Sequence, residues 1–189
     1  MSKNRLEAFS DGVIAILITI MVLELDIPRE PGFAALRGLA PVFFSYVLSF
    51  IYLGIYWNNH HHLWQAGKLV IGRILWANTH LLFWLSLIPF TTAWSGETNF
   101  AELPTALYGF VLWMAGFAYY VLARTMITHH GRESILANAI GRDTKGITSL
   151  AGYTIAIIVA FINPWISFGL YVVVALIWLI PDTRIEKIL

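Results

Sequence analysis

Six long apolar runs constrain the fold of this chain of 189 residues more than any other feature. A helix needs roughly 20 residues to cross a hydrocarbon core of about 30 Å, and the runs approach or exceed that length. With 58% hydrophobic and only 12% charged residues, the chain also lacks the polar surface that a soluble domain requires. We therefore predict an all-α integral membrane protein, a single domain over residues 1–189, with six transmembrane helices at about 5–25, 39–59, 69–93, 104–127, 146–162 and 165–180.

Polar and helix-breaking residues separate these runs. Residues 58–65, 95–104 and 129–145 are expected to form connections. Asn163 and Pro164 leave so little chain between the last two helices that these must form a tight antiparallel pair. The fifth helix is given an alternative start near Ser134, with an amphipathic turn before its apolar run.

The basic residues predict the orientation of the chain in the membrane. Of its twelve Lys and Arg residues, ten fall on the side of the N-terminus and only Arg29 and Arg37 on the other. The ten are Lys3, Arg5, Lys68, Arg73, Arg124, Arg132, Arg142, Lys145, Arg184 and Lys187. Because basic residues favour the cytosolic side, we expect both termini in the cytosol and a multi-pass protein of the inner (plasma) membrane.

Composition also limits the chemistry that is open to the chain. It has no cysteine, which excludes disulfides, thiolate metal sites and cysteine nucleophiles. A net charge of +1 gives no reason to expect a nucleic-acid partner. The first residues carry acids and no small-residue cleavage site, so the first run is interpreted as a retained span and not as a signal peptide.

The first helix must extend beyond its uninterrupted apolar part. Residues 12–23 would span only about 18 Å, so the helix should continue back through Phe9, Ser10 and Asp11. A carboxylate inside a span needs a partner, and a histidine at the end of the second helix is one candidate. The alternative is that Ser10 or Asp11 caps a helix that starts at Gly12.

One face of this helix carries a stripe of candidate pore residues. At 100° per residue, Thr19, Ile20 and Leu23 lie within about 60° of Ile16, whereas Asp11 lies about 140° from it. Ordinary packing against protein or lipid is the alternative interpretation of the stripe. Glu24 and Asp26 follow at the helix C-terminus, where the macrodipole disfavours negative charge, which suggests a mouth that attracts cations.

The start of the chain resembles the signature of the transmembrane protein 175 family of potassium channels. The similarity rests on Arg5, Phe9, Ser10 and Asp11, followed by GVIAILITIMVLEL. It continues through residues 57–62 and 78–89, and so covers essentially the whole chain. The length corresponds to the short prokaryotic form of this family, which has one six-helix repeat per chain.

The resemblance implies a passive channel for potassium and other monovalent cations in the lipid bilayer. It implies a homotetramer whose pore is lined by the first helix of each chain, and it requires no cofactor. By position, Ile16 is the narrow hydrophobic constriction, Thr19 contributes to potassium preference, and Ile20 and Leu23 form further apolar layers. No TVGYG filter is present in the sequence, so modest selectivity for potassium over sodium is expected.

Two other function classes remain open from the residues alone, a secondary transporter and a histidine-ligated membrane metalloenzyme. Residues 60–62 are three consecutive histidines, but neighbours on a helix point about 100° apart and cannot converge on one metal ion, so no metal site is expected. No nucleophile motif surrounds a serine, and the chain is not expected to be an enzyme. Gly109 and Gly116 are interpreted as positions of close helix packing.

Overall fold

The computed structural model describes residues 2–28, 31–67, 70–130 and 143–179. Within these residues the chain forms eight helices and no strand. They are α1 (Lys3–Leu23), α2 (Phe33–Gly38), α3 (Ala40–Ala66), α4 (Gly72–Ser86), α5 (Ile88–Glu97), α6 (Glu102–His130), α7 (Thr144–Ala160) and α8 (Pro164–Leu179). The predicted all-α class is confirmed.

Four stretches are long and apolar enough to cross a membrane. They are Lys3–Leu23, Ala40–Gln65, Gly72–Glu97 and Glu102–His129, which correspond to the first four predicted spans. Helices α7 and α8 have 17 and 16 residues, or about 26 and 24 Å of helix, so they fall short of the usual hydrocarbon thickness. That both of these also span the bilayer stays a prediction.

Three local features differ from the sequence-based expectation. The polar residues 58–65 were expected in a connection, but they form the last turns of α3, because several of their side chains find hydrogen-bond partners inside the bundle. Helix α5 continues to Glu97, beyond the expected end near residue 93. The short helix α2 lies in the first connection, where no helix was expected.

The third span is broken at Leu87. Its φ and ψ of −88° and −11° close the last turn of α4, and Pro89 follows within the first turn of α5. Proline lacks the N–H that would continue the hydrogen-bond ladder, but it is well tolerated at a helix start. The residues on both sides of the break still form one apolar stretch.

The bundle is organised around α6, which packs against α4 and α7. Helix α3 packs against α5. Helix α1 lies at the edge of the bundle, where it contacts α3, α4 and α5. Helices α7 and α8 form the tight pair that was predicted, and Asn163 Oδ1 accepts a hydrogen bond from the backbone N–H of Trp165 at 3.0 Å. The proposed start of the fifth span near Ser134 lies outside the described residues. So do Arg29, Lys68, Arg132, Arg142, Arg184 and Lys187.

Candidate pore-lining helix

Helix α1 contains the complete motif that was recognised in the sequence, namely Arg5, Phe9, Ser10 and Asp11. The N-cap position is Ser2, so the expected extension is confirmed and the alternative start at Gly12 is wrong. Ser10 does not interrupt the helix, because its hydroxyl donates to the carbonyl of Leu6 at 2.9 Å. A serine that bonds back to the preceding turn is satisfied inside an apolar span.

One face of α1 is buried in the bundle and the other is open. The buried face consists of Leu6, Ser10, Ile14, Leu17 and Met21. On the open face, Ile16 is 57% exposed, Ile20 39% and Leu23 80%, and Thr19 is also exposed. The predicted stripe therefore points away from its own protomer and is free to face other copies of the chain.

The Thr19 side chain has a fixed orientation on this open face. Its hydroxyl donates to the carbonyl of Ile16, one turn earlier, at 2.9 Å. Because the single hydroxyl proton is used within the helix, the oxygen keeps its lone pairs for an external partner. Such an oxygen can coordinate a cation.

The partner of Asp11 is a tryptophan and not a histidine. Trp57 Nε1 on α3 donates to Asp11 Oδ1 at 3.1 Å. The expectation that a carboxylate in this span has a partner is confirmed, whereas its suggested histidine partner is wrong. Indole is a donor only, so it satisfies a carboxylate in any protonation state of the neighbouring histidines.

A histidine does contact α1, but at the preceding turn. His61 Nδ1 lies 3.3 Å from Glu7 Oε1, and the imidazole stacks on the Trp57 ring with centroids 6.2 Å apart. Glu7, Trp57 and His61 thus connect one side of α1 to the last turns of α3. This connection lies beside the predicted pore stripe and includes none of its residues.

A buried polar cluster connects α1 to both of its long neighbours. Asn78 Nδ2 on α4 donates to Ser10 Oγ at 2.9 Å, and Asn78 Oδ1 lies 2.8 Å from His60 Nε2 on α3. Trp64 Nε1 lies 2.8 Å from the same histidine nitrogen, which can accept from the indole or donate to the Asn78 oxygen but cannot do both at once. All four side chains are completely buried. Because unpaired polar groups are costly in an apolar interior, the cluster fixes the position of α1 in the bundle.

The consecutive histidines have different surroundings. His60 belongs to the buried cluster through its Nε2 atom, and His61 contacts Glu7. The Nδ1 atoms of His60 and His62 are both buried with no hydrogen-bond partner in the described part of the chain. Among the described residues, no three His, Cys, Asp or Glu side chains are grouped so that they could hold a metal ion.

The two predicted mouth residues lie where α1 ends. Glu24 occupies the C-cap position and is exposed, and Asp26 is exposed two residues later. Leu23, the last member of the stripe, immediately precedes them. The acidic pair therefore follows directly on the open face of the helix.

Sequence reasoning did not identify Asn78, His60 and Trp64 as partners of the motif. Asn78 was the available signal, because a polar residue within an apolar run of a membrane protein needs a partner inside the bundle. Nothing in the sequence alone indicated that its partner is Ser10, since the two lie 68 positions apart.

Comparisons with known proteins show which channels the chain is similar to. The family described as endosomal/lysosomal potassium channel TMEM175 matches residues 5–89. The chain is 54% identical over 187 residues to a potassium channel of Chryseobacterium sp. (strain P1-3), covering 99% of this chain and 97% of that protein. The human endosomal/lysosomal proton channel TMEM175 is 31% identical over 116 residues, which is 55% of this chain and 23% of the human one.

A solved structure matches the fold as well. The crystal structure of a lysosomal potassium-selective channel TMEM175 homolog from Chamaesiphon minutus superposes with a TM-score of 0.84 and 25% identity, covering 95% of this chain and 97% of that chain. These relatives are ion channels, which confirms the expectation that the chain is not an enzyme. The chain belongs to the TMEM175 family of potassium channels.

Proposed function

We propose that this chain forms a homotetrameric, potassium-permeable cation channel in the plasma membrane, with one copy of α1 from each protomer around a central pore. Conduction is passive, and selectivity for potassium over sodium is modest. The main supporting observation is that α1 has two different faces. The candidate pore stripe is exposed on the protomer surface, whereas the opposite face is buried against the other helices. The relatives named as potassium channels support the choice of ion.

The position of α1 in the protomer favours assembly around this helix. In the most apolar window of α1 only 28% of the residues are buried, against 39% and 50% in the spans that begin at Ala40 and Gly72. A single protomer leaves the stripe on its surface and encloses no path along it. Four such surfaces brought together would surround an axis and cover the stripe at the same time.

The narrowest point of the proposed pore lies at Ile16. Four isoleucine side chains at an axis form a dry neck, in which an ion loses hydration without gaining ligands. Ile20 and Leu23 add further apolar layers toward the helix C-terminus, and both are exposed in the protomer. This neck acts as a gate and raises the barrier to every ion.

Selectivity is assigned to the layers at Ile16 and Thr19. The Thr19 oxygen has its proton directed at the Ile16 carbonyl, so four such oxygens could replace part of the water around a cation. Potassium releases its hydration water more readily than sodium, which favours potassium in this layer. Hydroxyl oxygens are weaker ligands than a ring of carbonyls, hence the modest preference.

The termini are placed in the cytosol by the same basic residues that predicted the orientation. Glu24 and Asp26 then lie at the extracytosolic mouth. Repeated four times, these exposed acids would concentrate cations before they enter the apolar layers.

Reversal-potential measurements on the purified protein in liposomes test the proposal. With mainly potassium on one side and mainly sodium on the other, we expect a current. Its reversal potential should lie between zero and the equilibrium potential of potassium. Native mass measurement of the same sample should give four chains. A monomer or dimer as the sole species contradicts the tetramer, and the absence of current contradicts the channel.

The same preparation separates the alternatives. A secondary transporter would show saturable uptake that depends on a coupling ion, and a metalloenzyme would contain bound metal. Because the human relative is named as a proton channel, the vesicles are also tested with a pH gradient in place of the potassium gradient.

A further inference from the structure

A cavity away from α1 lies between α3, α6, α7 and α8. Its volume is about 40 Å³, counted as the space open to the centre of a water-sized sphere, so it suits a ligand of only a few heavy atoms. The residues that give it chemical character are Tyr56, Tyr119, Tyr153, Trp178 and Asp143. None of the predicted pore residues lines it, so its chemistry is separate from that of the stripe.

The aromatic walls of the cavity are fixed in place. Trp178 Nε1 donates to Ser149 Oγ at 2.7 Å, and the Tyr119 hydroxyl donates to the carbonyl of Asn59 at 3.2 Å. Tyr56 and Tyr119 meet edge to face, with ring centroids 6.4 Å apart. Rings held by their polar ends form a preorganised surface, so a ligand loses little free energy in ordering them.

One feature of the cavity favours a positively charged ligand, the carboxylate of Asp143. Its Oδ1 accepts the Gly146 N–H at 2.8 Å as the N-cap of α7, and among the described residues no hydrogen bond uses its Oδ2. The ammonium group of Lys145 lies 6.0 Å from the centroid of the Trp178 ring and uses part of that wall, so the ligand must bind on the side of Asp143, Tyr56 and Tyr119. Aromatic faces together with a carboxylate are the usual surroundings of bound organic ammonium ions.

The geometry points to a binding site for a small organic ammonium ion in this cavity, with its charge toward Asp143 and its carbon body against Tyr56 and Tyr119. Gly116 lies in the wall of the cavity at ordinary packing distance from its neighbours. A Cβ atom added there would lie 3.5 Å from Leu150 Cδ2 and 3.7 Å from the Tyr56 hydroxyl, which are ordinary contact distances. The site does not depend on the proposed pore.

The test uses the intact purified protein and two probes of nearly the same shape, tert-butylammonium and tert-butanol. Binding is measured by the broadening of the probe methyl signal in proton NMR. We expect the ammonium ion to bind and the alcohol to bind at least tenfold more weakly. Equal binding of the two probes would overturn the proposal, because the cavity would then select only for shape.

Substitutions locate the site. Asp143→Asn keeps a side-chain oxygen for the Gly146 N–H and should weaken ammonium binding about tenfold, while Glu102→Gln, an exposed acid elsewhere, should leave it unchanged. Tyr119→Phe keeps the ring and should retain binding, whereas Tyr119→Leu should lose about fivefold. Unchanged binding in Asp143→Asn would overturn the assignment, and potassium flux in that variant reports separately on the pore.

Discussion

Adjacent residues of the motif in α1 have separate structural roles. Ser10 is buried and belongs to the cluster with Asn78 and His60. Asp11 is half-buried and accepts a hydrogen bond from Trp57 on the flank of α1. Both contacts lie off the stripe that is proposed to line the pore. The motif therefore positions the helix, and the residues after it form the proposed lining.

Asn78 offers the most direct test of the buried cluster. Asn78→Leu keeps the approximate size but removes the donor to Ser10 and the polar neighbour of His60, so the buried Ser10 oxygen loses a hydrogen bond. We expect the free energy of unfolding to fall by about 1–3 kcal/mol. Thr79→Leu is the control, since Thr79 is exposed on the same helix. Denaturant unfolding in detergent measures both, and equal stability of the two variants would contradict the role of the cluster.

Asp11→Ala should reduce stability or assembly and leave ion preference unchanged, because Asp11 faces Trp57 and not the stripe. Trp57→Phe removes only the N–H donor and should produce a similar loss. Unfolding and native mass are compared with reversal potentials for both variants. A changed reversal potential with normal assembly would place Asp11 in the ion path.

The stripe itself is tested by two substitutions. Ile16→Asn should raise conductance and reduce the preference for potassium, because a polar residue hydrates the dry neck. Thr19→Ala should reduce selectivity with less effect on leak. Thr79→Ala is a matched control, since Thr79 is exposed and its hydroxyl also bonds to its own helix, at 3.0 Å from the Leu75 carbonyl. If both stripe variants keep the parent reversal potential, ions do not pass this face.

At the level of the helices, apolar length and periodicity predicted the positions of the first four spans and the tight pair of α7 and α8. They did not predict that the polar residues 58–65 are helical, because the partner that stabilises His60 lies on another helix. The break at Leu87 also depends on how Pro89 is accommodated, which a hydropathy pattern does not report. The stripe was predictable from helical angles, whereas the cluster behind it required long-range contacts.

Two glycines of α6 had the same interpretation in sequence but differ in their surroundings. A Cβ on Gly109 would overlap the Tyr171 ring, so Gly109→Ala should destabilise the protein by about 1–3 kcal/mol. Gly116→Ala meets only ordinary contacts and should be neutral or stabilise by about 0.5–1 kcal/mol, since alanine favours helix. Thermal unfolding compares the two variants. Similar losses in both would mean that close packing at Gly116 is as tight as at Gly109.

On the scale of the whole molecule, the helix with the proposed conducting face is the long span that its own protomer buries least. In the tetramer that we propose, the pore radius is therefore set mainly by how neighbouring copies meet. The protomer contributes the angle at which α1 is presented, through the buried cluster and the Trp57 contact.

The proposed acidic mouth would also be a property of the proposed tetramer, because its electric field depends on four copies acting together. Replacing Glu24 and Asp26 by Gln and Asn should lower potassium conductance mainly at low ionic strength. Salt screens exposed charges, and at 0.1 M the Debye length is only about 10 Å, so the two acids then attract cations over a shorter distance. Glu102→Gln serves as the control for loss of an exposed acid. Equal loss of conductance at every salt concentration would indicate a structural role for the pair.

The separation of α1 into a buried face and an open face has a consequence for protein design. The residues that anchor the helix and those proposed to meet ions occupy different positions, so replacing the second set removes none of the buried contacts of the first. We therefore expect that the outward residues of α1 can be exchanged as a group to change permeation while the fold of the protomer is kept.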